Sequence, residues 1–410
     1  MHTATSGQQI ERYTIDRKLT EGGMAEVYLA HRSVAGFDQP VVLKSLLPGF
    51  VDNRELVAMM CNEARLATRL SHPNIVRVED LVEVGGRPFI VMEYLDGQNL
   101  RQIMHRALQR QRTMSLAFVC RVVAKTLEAL EHAHDVCNSD GRPLGLVHRD
   151  VSLDNVIVTS SGRVALIDFG IAKATTLLGE ELTRAGQVKG KCAYMSPEQV
   201  RSEPLDRRSD LFSVGIILWE MLTQRRLFAR RSELDSMVAI VCKDAVPPRS
   251  IAPELPEALD VICGKALARD REQRYQTAGD MHRELEALIA TEGWRASPND
   301  LRDELAAIFP VEIGKAEPSM YDEDERPTRL SPRHDFVADV PDAASPARVA
   351  TTTLRAADSD LYNQRPPGPS VYDEWPSPRQ RRRWLWLWLA TLFVAGFSML
   401  VAFLAARAVR

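Results

Sequence analysis

The sequence predicts an α+β chain of two unequal lobes, followed by a polar stalk and one apolar helix at the C-terminal end. Three observations carry this. Strand patterns dominate residues 13–93, interrupted by a single helical stretch. From Leu100 onward long helical patterns take over. Past residue 313 large apolar side chains become sparse, and residues 384–406 then contain no charged side chain.

In chain order, residues 1–12 form a polar tail. Residues 1–20 lack the apolar segment of a signal peptide, so the N-terminus is expected to stay in the cytoplasm. Residues 12–30, 41–46, 75–84 and 88–93 read as strands. Between them, 53–70 carries Leu56, Met59, Met60, Ala64 and Ala67 at helical spacing. Helical patterns follow at 118–136, 210–222, 257–268 and 280–290, and the whole of 13–292 reads as one two-lobed domain. An extension, 293–312, holds one more amphipathic helix at 298–309 that would cap the larger lobe, with Asn299 or Asp300 as its N-cap. No internal repeat is visible.

Residues 313–383 hold ten prolines, from Pro318 to Pro378, among Asp, Glu, Arg, Ser and Thr. Such a segment cannot bury enough apolar surface to offset its chain entropy and is expected to be a disordered linker. At about 1.5 Å per residue, 384–406 makes roughly 34 Å of helix, enough for a hydrocarbon core of about 30 Å. No remaining domain exists to bury it. Arg379, Arg381, Arg382 and Arg383 precede this span, and only Arg407 and Arg410 follow. That asymmetry puts the N-terminal bulk in the cytoplasm, with Trp384, Trp386 and Trp388 in the interfacial belt. The expectation is a single-pass inner-membrane protein whose bilayer contact is this helix. Residues 407–410 would be its extracytoplasmic tail, too short for a sensor domain.

The 410 residues are 45% hydrophobic and 26% charged, with a formal net charge of −3, and nothing in that balance points to a nucleic-acid partner. Cys61, Cys120, Cys137, Cys192, Cys242 and Cys263 form no C-x-x-C pair and read as reduced thiols. His132, His134 and His148 lie close in sequence, but no Cys, Asp or Glu arrangement completes a zinc ligand set.

Five short motifs remain, each weak alone. They are Leu19-Thr20-Glu21-Gly22-Gly23-Met24-Ala25-Glu26-Val27; Val41-Val42-Leu43-Lys44; His148-Arg149-Asp150-Val151-Ser152-Leu153-Asp154-Asn155; Asp168-Phe169-Gly170 after an apolar strand at 164–167; and Tyr194-Met195-Ser196-Pro197-Glu198 with Asp210 downstream. In this order and spacing the chain resembles the eukaryotic-like serine/threonine protein kinases of bacteria over residues 13–290. The resemblance implies a bilobal fold with ATP in the interlobe cleft.

It also implies roles. The first motif would lie over the phosphates, although Thr20 and Ala25 replace two of the family's glycines; alone, it could equally be an ordinary β-turn. Leu19, Thr20, Gly22, Gly23, Ala25, Val27, Val42, Leu95 and Ile157 would line the nucleotide site. Lys44 would neutralise α- and β-phosphate charge, held by Glu63, although an ion pair serving stability alone is the alternative. Glu93 and Leu95 would offer backbone groups to adenine, with Met92 as gatekeeper. Asp150 would accept or orient the substrate hydroxyl proton. Asn155 and Asp168 would hold Mg²⁺, or Mn²⁺ in its place. Glu198 would pair with Arg274, and Asp210 would brace the catalytic loop. Arg149 would organise an activation loop through phosphothreonine, with Thr183, Thr175 and Thr176 as candidates and self-association as the route to modification in trans.

Two of the departures from the family belong together. Ser152 stands where a lysine is usual, and Lys191 where a threonine is usual, so Lys191 is a candidate to supply the missing ammonium from the other side. The reading is a Mg-ATP-dependent kinase acting on Ser or Thr hydroxyls of proteins. Its rival is a pseudokinase that serves as a membrane-anchored docking module, favoured by the departures at Thr20, Val42, Ser152 and Leu153.

Overall fold

Alternating side chains build the smaller lobe. In a computed structural model that describes residues 6–22, 24–169, 191–294 and 296–310, with the Lys191 side chain excepted, six antiparallel strands form one sheet. They are β1 (Gln9–Ile10), β2 (Tyr13–Glu21), β3 (Ala25–Val34), β4 (Phe37–Leu46), β5 (Val78–Val84) and β6 (Arg87–Glu93), in the order β1-β2-β3-β4-β6-β5. Period-two alternation sends Tyr28 and Ala30 into an outer core with Tyr13, Val41, Leu43, Phe89 and Val91. The intervening Val27 and Leu29 face a second cluster with Leu19, Val42, Met92 and Ile157. The stretch 12–30 is thus two strands joined at the first motif. The strand expected from residue 75 begins at Val78, because Ile75 instead bridges Leu166.

Helix α1 (Arg54–Ala67) crosses this sheet. Asn53 caps it by accepting the N–H groups of Glu55 and Leu56, and Leu56, Met60, Ala64 and Ala67 turn inward. A second sheet of β7 (Gly97–Asn99), β8 (Val156–Thr159) and β9 (Val164–Leu166) floors the cleft.

The larger lobe comprises α2 (Leu100–Gln109), α3 (Leu116–His134), the single-turn α4 (Pro197–Val200), α5 (Arg208–Thr223), α6 (Glu233–Cys242), α7 (Glu257–Ala266), α8 (Ala278–Thr291) and α9 (Pro298–Ile308). Apart from Arg208, every residue of α5 is buried, so the helix has no polar face and runs through the centre of the lobe. Helix α9 corrects the expected cap. Ser297, rather than Asn299 or Asp300, is the N-cap; Pro298 is the first helical residue, and Asp300 returns the capping bond to Ser297.

The stalk at 313–383 and the apolar span at 384–406 lie outside the described residues. Among the described residues no helix is long and apolar enough to cross a membrane.

Candidate active site

The cleft between the lobes gathers the motif residues. Lys44, on β4, donates to Glu63 Oε1 at 3.2 Å and to Asp168 Oδ1 at 2.9 Å. Burial opposes its ammonium, but the charges of Asp168 and Glu63 prevail, and its pKa stands above the ordinary lysine value. Lys44 is therefore a fixed cation. The three groups come from β4, α1 and the segment after β9, so the ion pairs also fix the disposition of the two lobes.

Above them, β2 and β3 approach a tight connection in which the Gly22 N–H bonds Ala25 O at 2.8 Å. Thr20 pairs with Val27 across the strands. Gly23 lies outside the described residues. Glu26 anchors this hairpin from behind: wholly buried, it accepts Arg87 Nη2 at 2.6 Å, Lys18 Nζ at 2.9 Å and the Tyr28 hydroxyl. Leu19, Val42, Leu95, Ile157 and Met92 form one apolar cluster, packed by Val27, with the character of a surface that a flat heteroaromatic ring favours. The Glu93 N–H is used on Arg77 O at 3.0 Å, so Glu93 could offer such a ring only its carbonyl.

The catalytic loop is organised from below. Asp210, on α5, accepts the His148 and Arg149 N–H groups at 2.8 Å each and His134 Nε2 at 2.8 Å. Burial works against its carboxylate, but the His134 bond and the surrounding charges hold its pKa below the ordinary range. Burial pushes the His148 imidazole down, so it is neutral. It bonds Ile167 O at 3.0 Å and packs against the Phe169 ring, tilted at 47° with centroids 4.5 Å apart, which ties the catalytic loop to the segment bearing Asp168. Arg149 and Asp168 both sit at positive φ, +66° and +55°. Such conformations persist only where the surroundings over-determine them.

Asn155 Nδ2 donates to the Asp150 carbonyl at 2.7 Å and to Asp150 Oδ2 at 3.0 Å, which fixes the orientation of the Asp150 carboxylate. The Asn155 carboxamide oxygen and the Asp168 carboxylate are hard donors of the kind that Mg²⁺ or Mn²⁺ takes, and Lys44 beside them is the cation a polyphosphate requires. The donor set therefore fits Mg-ATP. Elsewhere among the described residues Glu128, His282 and Glu286 lie close enough for a metal. Their carboxylates already pair with Lys125 and Arg121, which makes the trio a surface ion network.

Several contacts had no signal in the motifs. Arg101 clamps Asp154 with two bonds, at 2.6 and 2.7 Å. Tyr194 donates to buried Glu220 at 2.7 Å. Arg163 grips Glu93 with two bonds, at 3.0 and 2.9 Å. Expected scaffold pairs are present: Arg274 meets both oxygens of Glu198, at 2.7 and 2.9 Å. Lys191 opens a 3₁₀ turn, Lys191–Tyr194, but its side chain lies outside the described residues, as do Thr175, Thr176 and Thr183.

The protein kinase domain model matches residues 13–284. The chain is 42% identical over 279 residues to the tyrosine-protein kinase MasK of Myxococcus xanthus, covering 68% of this chain and 43% of that protein. It is 37% identical over 284 residues to a probable serine/threonine-protein kinase, SCO3848, of Streptomyces coelicolor (68% and 40% covered). To the serine/threonine-protein kinase PknB of Mycobacterium tuberculosis it is 35% identical over 284 residues (67% and 42%). The chain thus spans less than half the length of these relatives. Among solved structures, the crystal structure of the Mycobacterium tuberculosis PknI kinase domain superposes with a TM-score of 0.53 at 26% identity, over 70% of this chain and 99% of that one. Motifs, cleft geometry and the match across residues 13–284 agree: the chain belongs to the protein kinase domain family.

Proposed function

We propose that this chain is a Mg-ATP-dependent protein kinase that transfers the γ-phosphoryl group to Ser or Thr hydroxyls of proteins, itself included. The observation that carries the reading is one constellation: Lys44 held between Glu63 and Asp168, with Asp150 oriented by Asn155. Lys44 would receive the α- and β-phosphates, and Asp150 would take the substrate hydroxyl proton. Asn155 and Asp168 would hold the cation, which when bound neutralises phosphate charge. The chain's own contribution is then positioning and a preorganised field. Incorporation of labelled phosphate by the full chain in detergent, lost in Asp150→Ala, tests the reading. Phosphoamino-acid analysis of the product separates Ser/Thr from Tyr transfer, a distinction raised by the name of one relative.

A pseudokinase remains the second reading because of Ser152. Its hydroxyl is buried at the catalytic loop, with no hydrogen-bond partner among the described residues, where the family resemblance expects a lysine. Equal, undetectable phosphate incorporation by wild type and Asp150→Ala would favour it.

The composition of 313–406 supports a membrane-tethered arrangement: a Pro-rich stalk, then a charge-free span preceded by Arg379 and Arg381–Arg383. Fractionation with the inner membrane, and a kinase domain resistant to protease added outside spheroplasts, are the expected results. Digestion of the domain would reverse the orientation.

A further inference from the structure

The turn between β8 and β9, residues 160–163, holds both ends of the connection between the lobes. On one side, Arg163 Nη1 and Nη2 meet the two carboxylate oxygens of Glu93 at 3.0 and 2.9 Å. On the other, the Ser160 N–H donates to Asp96 O at 2.7 Å and its hydroxyl to Asp96 Oδ2 at 2.6 Å. The same guanidinium reaches Pro73 O at 2.6 Å and Ile75 O at 3.1 Å, in the segment after α1. A planar fork of five donors suits this task, and a lysine cannot reproduce it. Burial opposes the Glu93 carboxylate, but Arg163 and the Arg77 N–H hold its pKa below the ordinary range, so the clamp is charged at neutral pH.

This turn rests on helix α9. Gly162, at φ +79°, lies so close to the start of α9 that a Cβ there would stand 1.8 Å from Pro298 O and 3.1 Å from the Arg302 nitrogen. Helix α9 in turn buries Leu301, Leu305 and Ile308, and Glu304 accepts the Ser115 N–H at 2.7 Å at the start of α3. It lies beyond residue 284, where the family match ends.

We propose that docked α9 is a buttress for the interlobe connection: it seats the β8–β9 turn, and through that turn Arg163 and Ser160 hold Glu93 and Asp96 in the geometry that receives ATP. Arg163 is a positioning residue in this scheme, since it acts through Glu93. The inference rests on the kinase reading for its nucleotide but not for its mechanics.

The test uses the full chain. Leu305→Asp undocks α9 without touching the turn. Gly162→Ala wedges the turn from α9, and Arg163→Ala removes the link. Each is expected to raise the KM for ATP on the order of tenfold, the scale of one lost charged hydrogen-bonded contact, with kcat changed far less. Arg163→Lys should recover part of the loss. Leu305→Asp combined with Arg163→Ala should lose little more than either alone, because the two act through one link. Without nucleotide, hydrogen exchange at 93–97 should quicken in all three single variants. If 298–308 exchanges freely in Leu305→Asp while 93–97 and the ATP KM keep wild-type values, the buttress is refuted. A wild type that binds no nucleotide would refute the kinase reading instead, and the exchange data would still decide the coupling.

Discussion

Asp210 holds Arg149 in a conformation that residue would not choose. The carboxylate oxygen Oδ1 accepts the Arg149 N–H at 2.8 Å, and Arg149 sits at φ +66°. The second oxygen fixes the neighbouring His148 N–H. The buried end of α5 therefore shapes the loop that presents Asp150. Asp210→Asn would turn an –NH₂ toward one of these donors and leave it unsatisfied, at a cost of about 1–3 kcal/mol. The expected outcome is a kcat lowered about 10²-fold by misplacement of Asp150, with ATP KM little changed. Steady-state kinetics with unchanged circular dichroism checks it; a wild-type kcat would mean the brace is dispensable.

Metal dependence follows from the oxygens of Asn155 and Asp168. Chelation with EDTA should abolish transfer, and Mg²⁺ or Mn²⁺ should restore it. Asp168→Asn should weaken cation affinity and also loosen Lys44, whose 2.9 Å bond it shares. The measurement is activity against free Mg²⁺ concentration. A variant with the wild-type midpoint would place the cation elsewhere.

The Glu198–Arg274 pair sets an acid limit on stability. Burial would raise the Glu198 pKa, but the Arg274 bonds and charge hold it below its ordinary value. A depressed folded pKa contributes stability above the unfolded value, about 4.3, which is lost as pH falls through the folded value. Glu198→Gln should therefore destabilise by about 3 kcal/mol near neutral pH, the lower end for a broken buried pair. Arg274 retains carbonyl partners at Ala268, Arg269 and Arg208, which limits the cost. Urea midpoints should differ most at pH 7 and draw together as pH falls from about 4.3 through the lower folded value. A constant difference across pH would contradict the assignment.

Arg149 also leads to the activation loop. Its Nε is buried with no hydrogen-bond partner among the described residues, and a phosphothreonine would supply one. Thr183 is the expected site, ahead of Thr175 and Thr176, although all three lie outside the described residues. Mass spectrometry of active enzyme should find phosphate there. Three unmodified threonines would sink the idea.

What the sequence made legible was whatever lies in a contiguous motif. Lys44, Asp150, Asn155 and Asp168 each sit in a short run whose neighbours announce them, and the cleft unites them as expected. Ordered long helices were legible too, because their apolar spacing extends over several turns. Contacts between distant residues that the family resemblance does not imply were not. His134 and Asp210 are 76 residues apart, and Glu93 and Arg163 are 70 apart, with no local pattern to pair them. The N-cap of α9 was missed for a smaller reason: Ser297, Asn299 and Asp300 are all good caps, and only backbone geometry chooses among them.

The last prediction concerns Ser152 and Lys191. An ammonium beside the catalytic carboxylate neutralises developing phosphate charge, and Ser152 cannot supply it. The Ser152 hydroxyl is buried without a partner among the described residues, so the loop retains an unmet polar group at this position. Lys191 begins the 3₁₀ turn whose Cys192, Ala193 and Tyr194 are buried against the larger lobe. The turn is thus anchored, although the Lys191 side chain lies outside the described residues. A point charge on a flexible four-carbon stem tolerates a change of origin better than a planar guanidinium would. If the two positions have exchanged roles, Lys191→Ala should lower kcat about 10²-fold or more, the scale of losing one preorganised transition-state donor, with little change in ATP KM. Lys191→Arg should rescue poorly, since a rigid fork cannot follow the phosphate. The double change Ser152→Lys with Lys191→Thr should recover much of the activity lost in Lys191→Ala. A Lys191→Ala enzyme with near-normal kcat would refute the exchange, and Ser152 would then be the stronger argument for a weakened kinase.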